Sequence, residues 1–312
     1  MASINTNNSA LVALQNLNAT NSRLDITQNR VSTGLKVQGA KDNAAVWAVA
    51  QNQRSNTSAY EAVTTSLNRA TSIADVSLAA GGSISDLLIQ LKQKATAASD
   101  PGGSTASRTA YNNEFQALLR SVQSFADNAR FDGKNILNGF DDDGTTATTA
   151  PLNFLASGED ATEVISLNRQ NFSLDGLGLD LAARAAAAAI PASAGPPPVA
   201  AVPAVTARPA GPPLLDSIEN ATEALGLIDA AIATVSSGLA ELGAQAKQIE
   251  NHTTFVSKLV DALEVGIGNL VDADLAKESA KLQALQVQQQ LGVQALSIAN
   301  QAPQVLLSLF QN

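Results

Sequence analysis

Apolar side chains recur at alternating spacings of three and four residues from Ile218 to Leu270 without a break. This spacing places them on one stripe of a single α-helix, the seam of a coiled coil. At 1.5 Å per residue the helix is about 80 Å long. Asp216-Ser217-Ile218-Glu219 resembles a capping box with Asp216 as the cap. The pattern therefore predicts one long helix over residues 216–271.

A second seam of this kind runs from Val63 to Leu91, in a stretch without proline from Ala44 to Ser99. Small residues form its middle, and Gly81-Gly82 predicts a locally weaker helix. A turn at Asp100–Gly103 leads to a third helix, capped by Ser104. Its predicted seam is Tyr111, Phe115, Leu118, Val122, Phe125 and Ala129. We predict a mainly α fold built as a long antiparallel coiled-coil rod.

Both ends of the chain are amphipathic but uncharged. Residues 1–22 carry no charged side chain, and they contain a helical seam that continues past Arg23, with an N-cap in the block Asn5–Ser9. Residues 282–312 also carry no charge and include nine glutamines. Surface charge normally keeps proteins soluble, so neutral ends indicate burial in an assembly. The N-terminal seam predicts self-assembly contacts at Leu11, Leu14, Leu17 and Leu24.

The C-terminal segment has two apolar stripes when it is plotted as a helix. Leu282, Leu285 and Leu296 share one face with Val293, and Leu291 and Ile298 share the opposite face with Val287. Two opposed stripes imply neighbours on both sides, so we assign these leucines and Ile298 to self-assembly. A neutral amide stripe between them implies a wet face without charge, which we assign to a lumen: Gln283, Gln290, Gln294 and Gln301.

The middle of the chain differs in composition from both helical regions. Residues 131–181 contain short alternating runs that predict one or two β-hairpins. Residues 182–213 are rich in alanine and proline, which excludes a core helix or central strand and predicts an exposed insertion. The predicted segments are 1–43, 44–130, 131–215, 216–271 and 272–312.

Composition excludes several functions. A net charge of −9 disfavours a nucleic-acid partner. No run of 18 apolar residues occurs, which argues against membrane insertion. The chain has no cysteine, and His252, its one histidine, is interpreted as a solvated helix residue, so we expect no metal, no cofactor and no enzyme activity. No positively charged segment followed by an apolar run opens the chain, so we expect export without a cleaved signal peptide.

Three blocks resemble the motifs of a known family, bacterial flagellin. The first is Arg30-Val31-Ser32-Thr33-Gly34-Leu35-Lys36, followed by Ala40-Lys41-Asp42-Asn43-Ala44-Ala45. The second is Phe131-Asp132-Gly133-Lys134-Asn135-Ile136-Leu137-Asn138-Gly139. The third runs from Asp272-Ala273-Asp274 through Ala276-Lys277-Glu278 and Gln289-Gln290 to Ala299-Asn300-Gln301-Ala302-Pro303-Gln304 and Val305-Leu306-Leu307-Ser308-Leu309. The motif positions carried over are Arg30, Gly34, Lys41, Asp42, Asn300, Gln301 and Pro303.

The resemblance implies a structural subunit that polymerises into an extracellular flagellar filament for swimming. Its terminal segments would form an inner tube, residues 1–43 including a spoke, and the heptad helices an outer layer. Implied partners are other copies of the chain, possible co-polymerising flagellins, an export chaperone of a type III route, and the filament cap and hook-junction proteins. A hook–filament junction protein and a flagellin-like surface-binding protein are the alternatives.

One segment departs from the flagellin pattern. The family's immune-receptor motif Q-R-x-R-E-L-A-V is replaced by Ile89-Gln90-Leu91-Lys92-Gln93-Lys94-Ala95-Thr96, with Gln90 in place of an arginine and Lys94 in place of the apolar anchor. The resemblance therefore implies weak detection by the flagellin-sensing Toll-like receptor. Such a replacement is typical of α-proteobacterial flagellins.

Overall fold

A computed structural model describes residues 7–141, 146–180 and 213–309 of the chain, with side chains up to Gln301. The chain divides into two compact units. The smaller unit contains residues 1–58 and 259–312, and the larger unit contains residues 59–258. The long helices are α1 (Asn8–Thr33), α2 (Ala44–Ala98), α3 (Thr105–Asn128), α4 (Ile218–Val271) and α5 (Leu275–Leu309), and the short strands are β1 (Arg130–Phe131), β2 (Lys134–Asn135), β3 (Leu152–Leu155) and β4 (Val164–Leu167).

The larger unit is a bundle in which α2, α3 and α4 lie side by side. Lys92 Nζ of α2 is 2.6 Å from Asp229 Oδ1 of α4, and Gly81 of α2 lies beside Leu239 of α4, so these two helices are antiparallel. All nine predicted seam residues of α2 are buried: Val63, Leu67, Ala70, Ala74, Ser77, Gly81, Ile84, Leu88 and Leu91. The predicted mainly α fold with long packed helices is confirmed.

The predicted seam of α3 is only partly correct. Phe115 and Val122 are buried as expected, but the structure buries Leu119 and Ala126, whereas Leu118 is half-buried and Phe125 is 42% exposed. Two phases of the three-and-four pattern share Phe115 and Val122, because the sequence has leucine at two adjacent positions. The sequence alone could not separate these phases.

The helix starts match the sequence pattern except at α4. The Asn7 side chain accepts a hydrogen bond from Ala10 N at the start of α1, and Ser104 Oγ accepts one from Ser107 N at the start of α3. At α4 the cap is Ser217, whose Oγ accepts a hydrogen bond from Asn220 N at 3.1 Å. The expected cap, Asp216, instead accepts a side-chain hydrogen bond from Asn220.

Two hairpins confirm the predicted β region. Strands β1 and β2 are joined by Asp132 and Gly133, whose φ angles of 51° and 75° are those of a tight hairpin turn. Strands β3 and β4 pair antiparallel, with Leu152 opposite Leu167. The Pro/Ala-rich insertion at 182–213 lies almost wholly outside the described residues, which resume at Pro213.

The segment after β4 is anchored by one aromatic side chain. Phe172 is fully buried between α2 and α4, at positions where each helix has a glycine. A Cβ atom added at Gly238 would lie 2.7 Å from Phe172 Cζ, and one at Gly81 would lie 3.2 Å from Phe172 Cε2. Helix α2 therefore continues through Gly81-Gly82 without interruption, because Gly81 makes room for a packed ring. The helix is unbroken at this point, and its lower local stability stays a prediction.

The single histidine also fixes the hairpin region to the bundle. His252 Nε2 lies 2.7 Å from the carbonyl oxygen of Ala156, which follows β3, and its ring contacts Phe255. The interpretation of His252 as a merely solvated residue was wrong, because the seam of α4 turns this side chain toward β3. Nearby, the hydroxyl and backbone N–H of Thr162 donate to Asp160 and hold the pKa of that carboxyl below its ordinary value.

The smaller unit joins the two ends of the chain. The start of α2 and the end of α4 form an apolar cluster that includes Val37, Ala50, Ile267 and Val271. Gly34 ends α1 with a φ of 73°, a left-handed conformation that favours glycine, and its carbonyl accepts a hydrogen bond from Ala273 N at 2.8 Å. Helices α1 and α5 leave this junction as an antiparallel pair.

By length and hydropathy alone, α2 and α4 are each apolar enough to cross a membrane. In the larger unit, however, α2 buries its seam, and α4 buries every second residue of its predicted seam from Ala221 to Val256 and half-buries the others. Core helices of a packed protein have this same character.

Candidate assembly surface

Helix α1 presents to α5 a face that is half apolar and half polar. Leu17 and Leu24 on this face are half-buried, while Thr20 and Thr27 are buried. Leu17 lies against Gly292 of α5, where an added Cβ would be 3.2 Å from Leu17 Cδ1. Of the four predicted leucine contacts in α1, two therefore face the chain's own C-terminal helix.

The other two leucines of α1 are largely uncovered by the described part of the chain. Leu11 is 58% exposed and Leu14 is 44% exposed. Val12 and Ile26, which the sequence reasoning did not single out, are about as exposed as these leucines. The four side chains form an apolar surface on α1 that points away from α5.

Helix α5 is divided in the same way. Leu285 is buried, and Leu282 and Leu296 are half-buried, on the face that packs against α1. Val293, which was grouped with this stripe, is exposed. On the opposite side Leu291 is 59% and Ile298 is 69% exposed, and Val287 is similar. The amide stripe Gln283, Gln290, Gln294 and Gln301 is also exposed.

The exposed faces of both helices are neutral except near their junction, where Arg23 and Asp25 of α1 and Lys277 and Lys281 of α5 are exposed. Lys281 is the last charged side chain of α5, and Arg23 is the first of α1. Half-exposed leucine, isoleucine and valine side chains on a neutral helix form a contiguous apolar surface of the kind that marks an interaction site. Hydrogen bonds with water satisfy the amides, but water gives no such compensation for the apolar side chains.

Polar contacts hold α1 and α5 together from one end to the other. Asn7 Nδ2 donates to Ala299 O at 2.7 Å, and Gln289 Nε2 donates to Asn21 Oδ1 at 2.8 Å. Arg30 Nη1 lies 3.2 Å from Glu278 Oε1, with the side chains only 27% and 13% exposed. Arg30 and Glu278 each belong to a flagellin-like block of the sequence, but their pairing was not predicted, because it joins distant parts of the chain.

The remaining motif residues lie around this helix pair. Asp42 Oδ2 accepts hydrogen bonds from Gln38 N at 2.9 Å and Gly39 N at 3.3 Å, which shapes the loop between α1 and α2. Lys41 and Asn300 are exposed. Pro303 lies within α5, beyond the last described side chain.

The altered immune-receptor segment lies on α2 in the larger unit. Gln90 is exposed, and Lys94 forms an ion pair with Glu114 of α3. The neighbouring Ile89 is exposed as well. The lysine at the position of the apolar anchor is therefore held by a carboxylate of the same bundle.

Comparison with known proteins identifies the family. The model of the bacterial flagellin N-terminal helical region matches residues 4–142, and that of the C-terminal helical region matches residues 225–310. Flagellin FljM of Caulobacter vibrioides is 43% identical over 309 residues, covering 99% of this chain and 98% of that protein. A flagellin of Brucella melitensis is 37% identical and flagellin C of Rhizobium meliloti is 35% identical, each with full coverage of both chains.

These similarities agree with the α-proteobacterial type indicated by the Gln90 and Lys94 replacements. The matched regions include both terminal helices and the helices of the bundle. The chain belongs to the bacterial flagellin family and is a structural subunit of an extracellular flagellar filament.

Proposed function

We propose that the filament is built through the apolar faces that α1 and α5 leave exposed, each binding a further copy of the chain. The main support is that Leu11 and Leu14 of α1 and Leu291 and Ile298 of α5 are about half exposed, with no charged residue nearby in the sequence. A second copy of the same chain fits this surface, because it presents equally apolar and neutral faces. Contacts between different patches of identical subunits produce an open helical polymer.

The proposed arrangement of the subunit follows from these faces. Residues 1–43 and 272–312 form the inner tube with its spoke, and residues 44–130 and 216–271 form the surrounding helical layer. Residues 131–215 lie outermost. Gln283, Gln290, Gln294 and Gln301 face the lumen, where exposed amides are hydrated and a neutral wall does not retain charged segments of subunits in transit. Unpaired charges buried between subunits would be costly, which accounts for the neutral ends.

The proposal extends to the partners of assembly. A chain with two exposed apolar helices needs protection before it polymerises, so an export chaperone binds these helices in the cell. The filament cap and the hook-junction proteins contact the two ends of the polymer. Export proceeds without a cleaved signal peptide. We propose no nucleic-acid partner, because the net charge of the chain is negative. We also propose no membrane insertion, because the apolar seams pack inside the bundle.

Glutamine at Val287, Leu291 and Ile298 should raise the critical concentration for polymerisation by roughly 100-fold. Burying each half-exposed side chain stabilises the polymer by about 1 kcal/mol, and a total of about 3 kcal/mol corresponds to that factor. The measurement is sedimentation of filaments over a concentration series.

The matched control replaces Gln283, Gln290 and Gln294 by serine, three positions on the same helix that are equally exposed. This variant should polymerise like the unaltered chain, because its side chains remain hydrated in the lumen. Equal critical concentrations for the Val287, Leu291 and Ile298 variant and the unaltered chain would refute the proposed contact surface.

Purified monomer should activate the flagellin-sensing Toll-like receptor only weakly. Gln90 lacks the charge of the family's arginine, and the ion pair of Lys94 with Glu114 replaces an apolar anchor by a charged group. A reporter-cell assay with the double variant Gln90→Arg, Lys94→Leu should show a stronger response than the unaltered chain. Strong activation by the unaltered monomer would contradict this prediction.

A further inference from the structure

The packing of α1 on α5 presents a puzzle that the proposed function does not resolve. The face of α1 turned toward α5 contains Thr20 and Thr27, both buried, and the hydroxyl of Thr27 has no hydrogen-bond partner among the described residues. The opposite face contains Leu11, Leu14 and Ile26, which stay exposed. We call these the threonine face and the leucine face. Leu17 and Leu24 also lie on the threonine face, so burial of apolar area alone does not decide between the two faces.

Apolar periodicity does not explain the choice of face either. Seen along the helix at 100° per residue, α1 has apolar residues on both sides. The leucine face, turned inward, would cover the apolar side chains of α5 such as Leu282 and Leu285. Such a subunit would have hidden within itself the surface that we propose for contact with other copies. Some other interaction must therefore select the threonine face.

The polar contacts supply this selection. On a helical projection, Arg30 and Asn21 lie on opposite sides of the threonine face. Around the helix axis, Arg30 is about 100° from the centre of this face and Asn21 is about 80° from it. Arg30 binds Glu278 at 3.2 Å, and Asn21 binds Gln289 at 2.8 Å. A rotation of α1 in either direction breaks one of these contacts. It would leave the largely buried Glu278 carboxylate without its arginine and with only Lys281 Nζ, 3.6 Å from its Oε2, and weaker pairing of a buried charge is unfavourable.

We infer that Arg30, Glu278, Asn21 and Gln289 are specificity-determining residues of assembly: they hold the threonine face of α1 against α5 and thereby keep the leucine face available for other copies. The Arg30–Glu278 pair dominates, since its partners are charged and mostly buried. Beyond Glu278 the chain contains no carboxylate, so a shift of Arg30 along α5 toward the C-terminus finds no substitute partner. The inference rests on the proposed function, because only assembly requires a free leucine face.

The absence of cysteine from the chain makes the orientation of α1 directly measurable. A Cβ added at Gly292 would lie 3.9 Å from Leu17 Cβ, close to the spacing of about 3.8 Å in disulfides. The pair Leu17→Cys, Gly292→Cys therefore reports the threonine face. The pair Gln15→Cys, Gly292→Cys reports the leucine face, because the exposed Gln15 lies on that side of α1 at nearly the same height. Intramolecular closure is read on non-reducing gels.

In an otherwise unaltered monomer, the Leu17 reporter should close about tenfold faster than the Gln15 reporter, a ratio typical of a charge-assisted contact. Arg30→Glu should lower the rate of the Leu17 reporter and raise that of the Gln15 reporter. The exchanged pair Arg30→Glu, Glu278→Arg should restore the original order. Lys247→Glu, which reverses one charge of the exposed Lys247–Glu250 pair in the larger unit, is the control and should change neither rate.

Three outcomes would overturn the inference: an unchanged ratio in Arg30→Glu, no recovery in the exchanged pair, or an equal fall of both rates, which would mean that α1 detaches rather than turns. The same reporters in assembled filaments give a second reading that does not depend on the stability of the free monomer. If orientation follows Arg30 as expected while substitutions at Leu291 and Ile298 leave polymerisation intact, the proposed function fails and the orientation mechanism stands.

Discussion

A chain that ends at Leu282 should remain folded in its bundle and form no filament at any accessible concentration. The deletion removes residues 283–312, which include the exposed Leu291 and Ile298 and the whole amide stripe. It also removes Leu285, Gln289 and Gly292, against which α1 packs. The contact surface of α5 is thus lost together with the support of α1, which makes this the largest effect on assembly that we expect.

The deletion should lower the helical content by more than the number of helical residues that it removes. Helix α1 buries only Thr20 and Thr27 completely, and its remaining contacts are mainly with α5. Most helical stability in proteins comes from the packing of an amphipathic face rather than from intrinsic propensity, so α1 should unfold with its partner. Circular dichroism should therefore show the loss of the 26 residues of α1 in addition to the deleted part of α5.

A matched deletion separates assembly from general damage. Removal of residues 182–213 takes out a segment of similar length, and we propose that this variant still polymerises because the insertion lies outermost. The thermal transition of the bundle should be unchanged in the chain that ends at Leu282. Filaments formed by that chain would contradict the role that we assign to α5.

Phe172→Ala should lower the free energy of unfolding of the larger unit by about 3–5 kcal/mol, the usual cost of removing a fully buried aromatic ring. The ring fills the space between Gly81 and Gly238, and its loss leaves a cavity that two helices cannot close. Phe125→Ala is the control. Because Phe125 is 42% exposed, this substitution should lower the free energy of unfolding much less. Urea denaturation monitored by circular dichroism measures both.

The effect of a methyl group at Gly238 should depend on whether the ring is present. Gly238→Ala alone should destabilise the unit by about 1–3 kcal/mol, because the added carbon would lie 2.7 Å from the ring. In the Phe172→Ala background the contact with the ring is gone, and the remaining close atom, Gln170 Oε1 at 2.9 Å, is the end of a flexible side chain. The same change should then stabilise by up to about 1 kcal/mol through helix propensity. Gly226→Ala, at a position of α4 with open space, should stabilise in both backgrounds. A Gly238→Ala effect of the same sign in both backgrounds would refute the role of the ring.

The helices were predictable because their evidence is local and repeated. Sixteen seam positions in α4 and nine in α2 repeat one spacing, and a helix is the structure that brings such positions onto one face. The seam of α3 shows the limit of this evidence. With leucine at both 118 and 119, two phases fit the sequence equally, and only the neighbouring helices decide between them.

Contacts between distant segments were not predictable from the pattern. Gly81 was interpreted as a weak point of α2, since a glycine in a helix lowers its stability. Its actual role depends on Phe172, which lies 91 residues further along the chain, and no local signal connects the two. The contact between His252 and Ala156 was missed for the same reason.

The candidate surface was predicted in outline but not in detail. Two apolar stripes and a neutral amide stripe could be identified on α5, because helix geometry fixes which side chains share a face. The polar character of the face between α1 and α5 could not be foreseen. Thr20 and Thr27 looked like surface residues, and the pairing of Arg30 with Glu278 joins opposite ends of the sequence.

The most direct test of the account is a density map of the assembled filament at a resolution that shows side chains. We expect Leu11, Leu14, Leu291 and Ile298 to be covered by neighbouring copies of the chain, with Gln283, Gln290, Gln294 and Gln301 lining a central lumen. A map in which those apolar side chains remain in contact with solvent, or in which the glutamine stripe is buried against protein, would contradict the account.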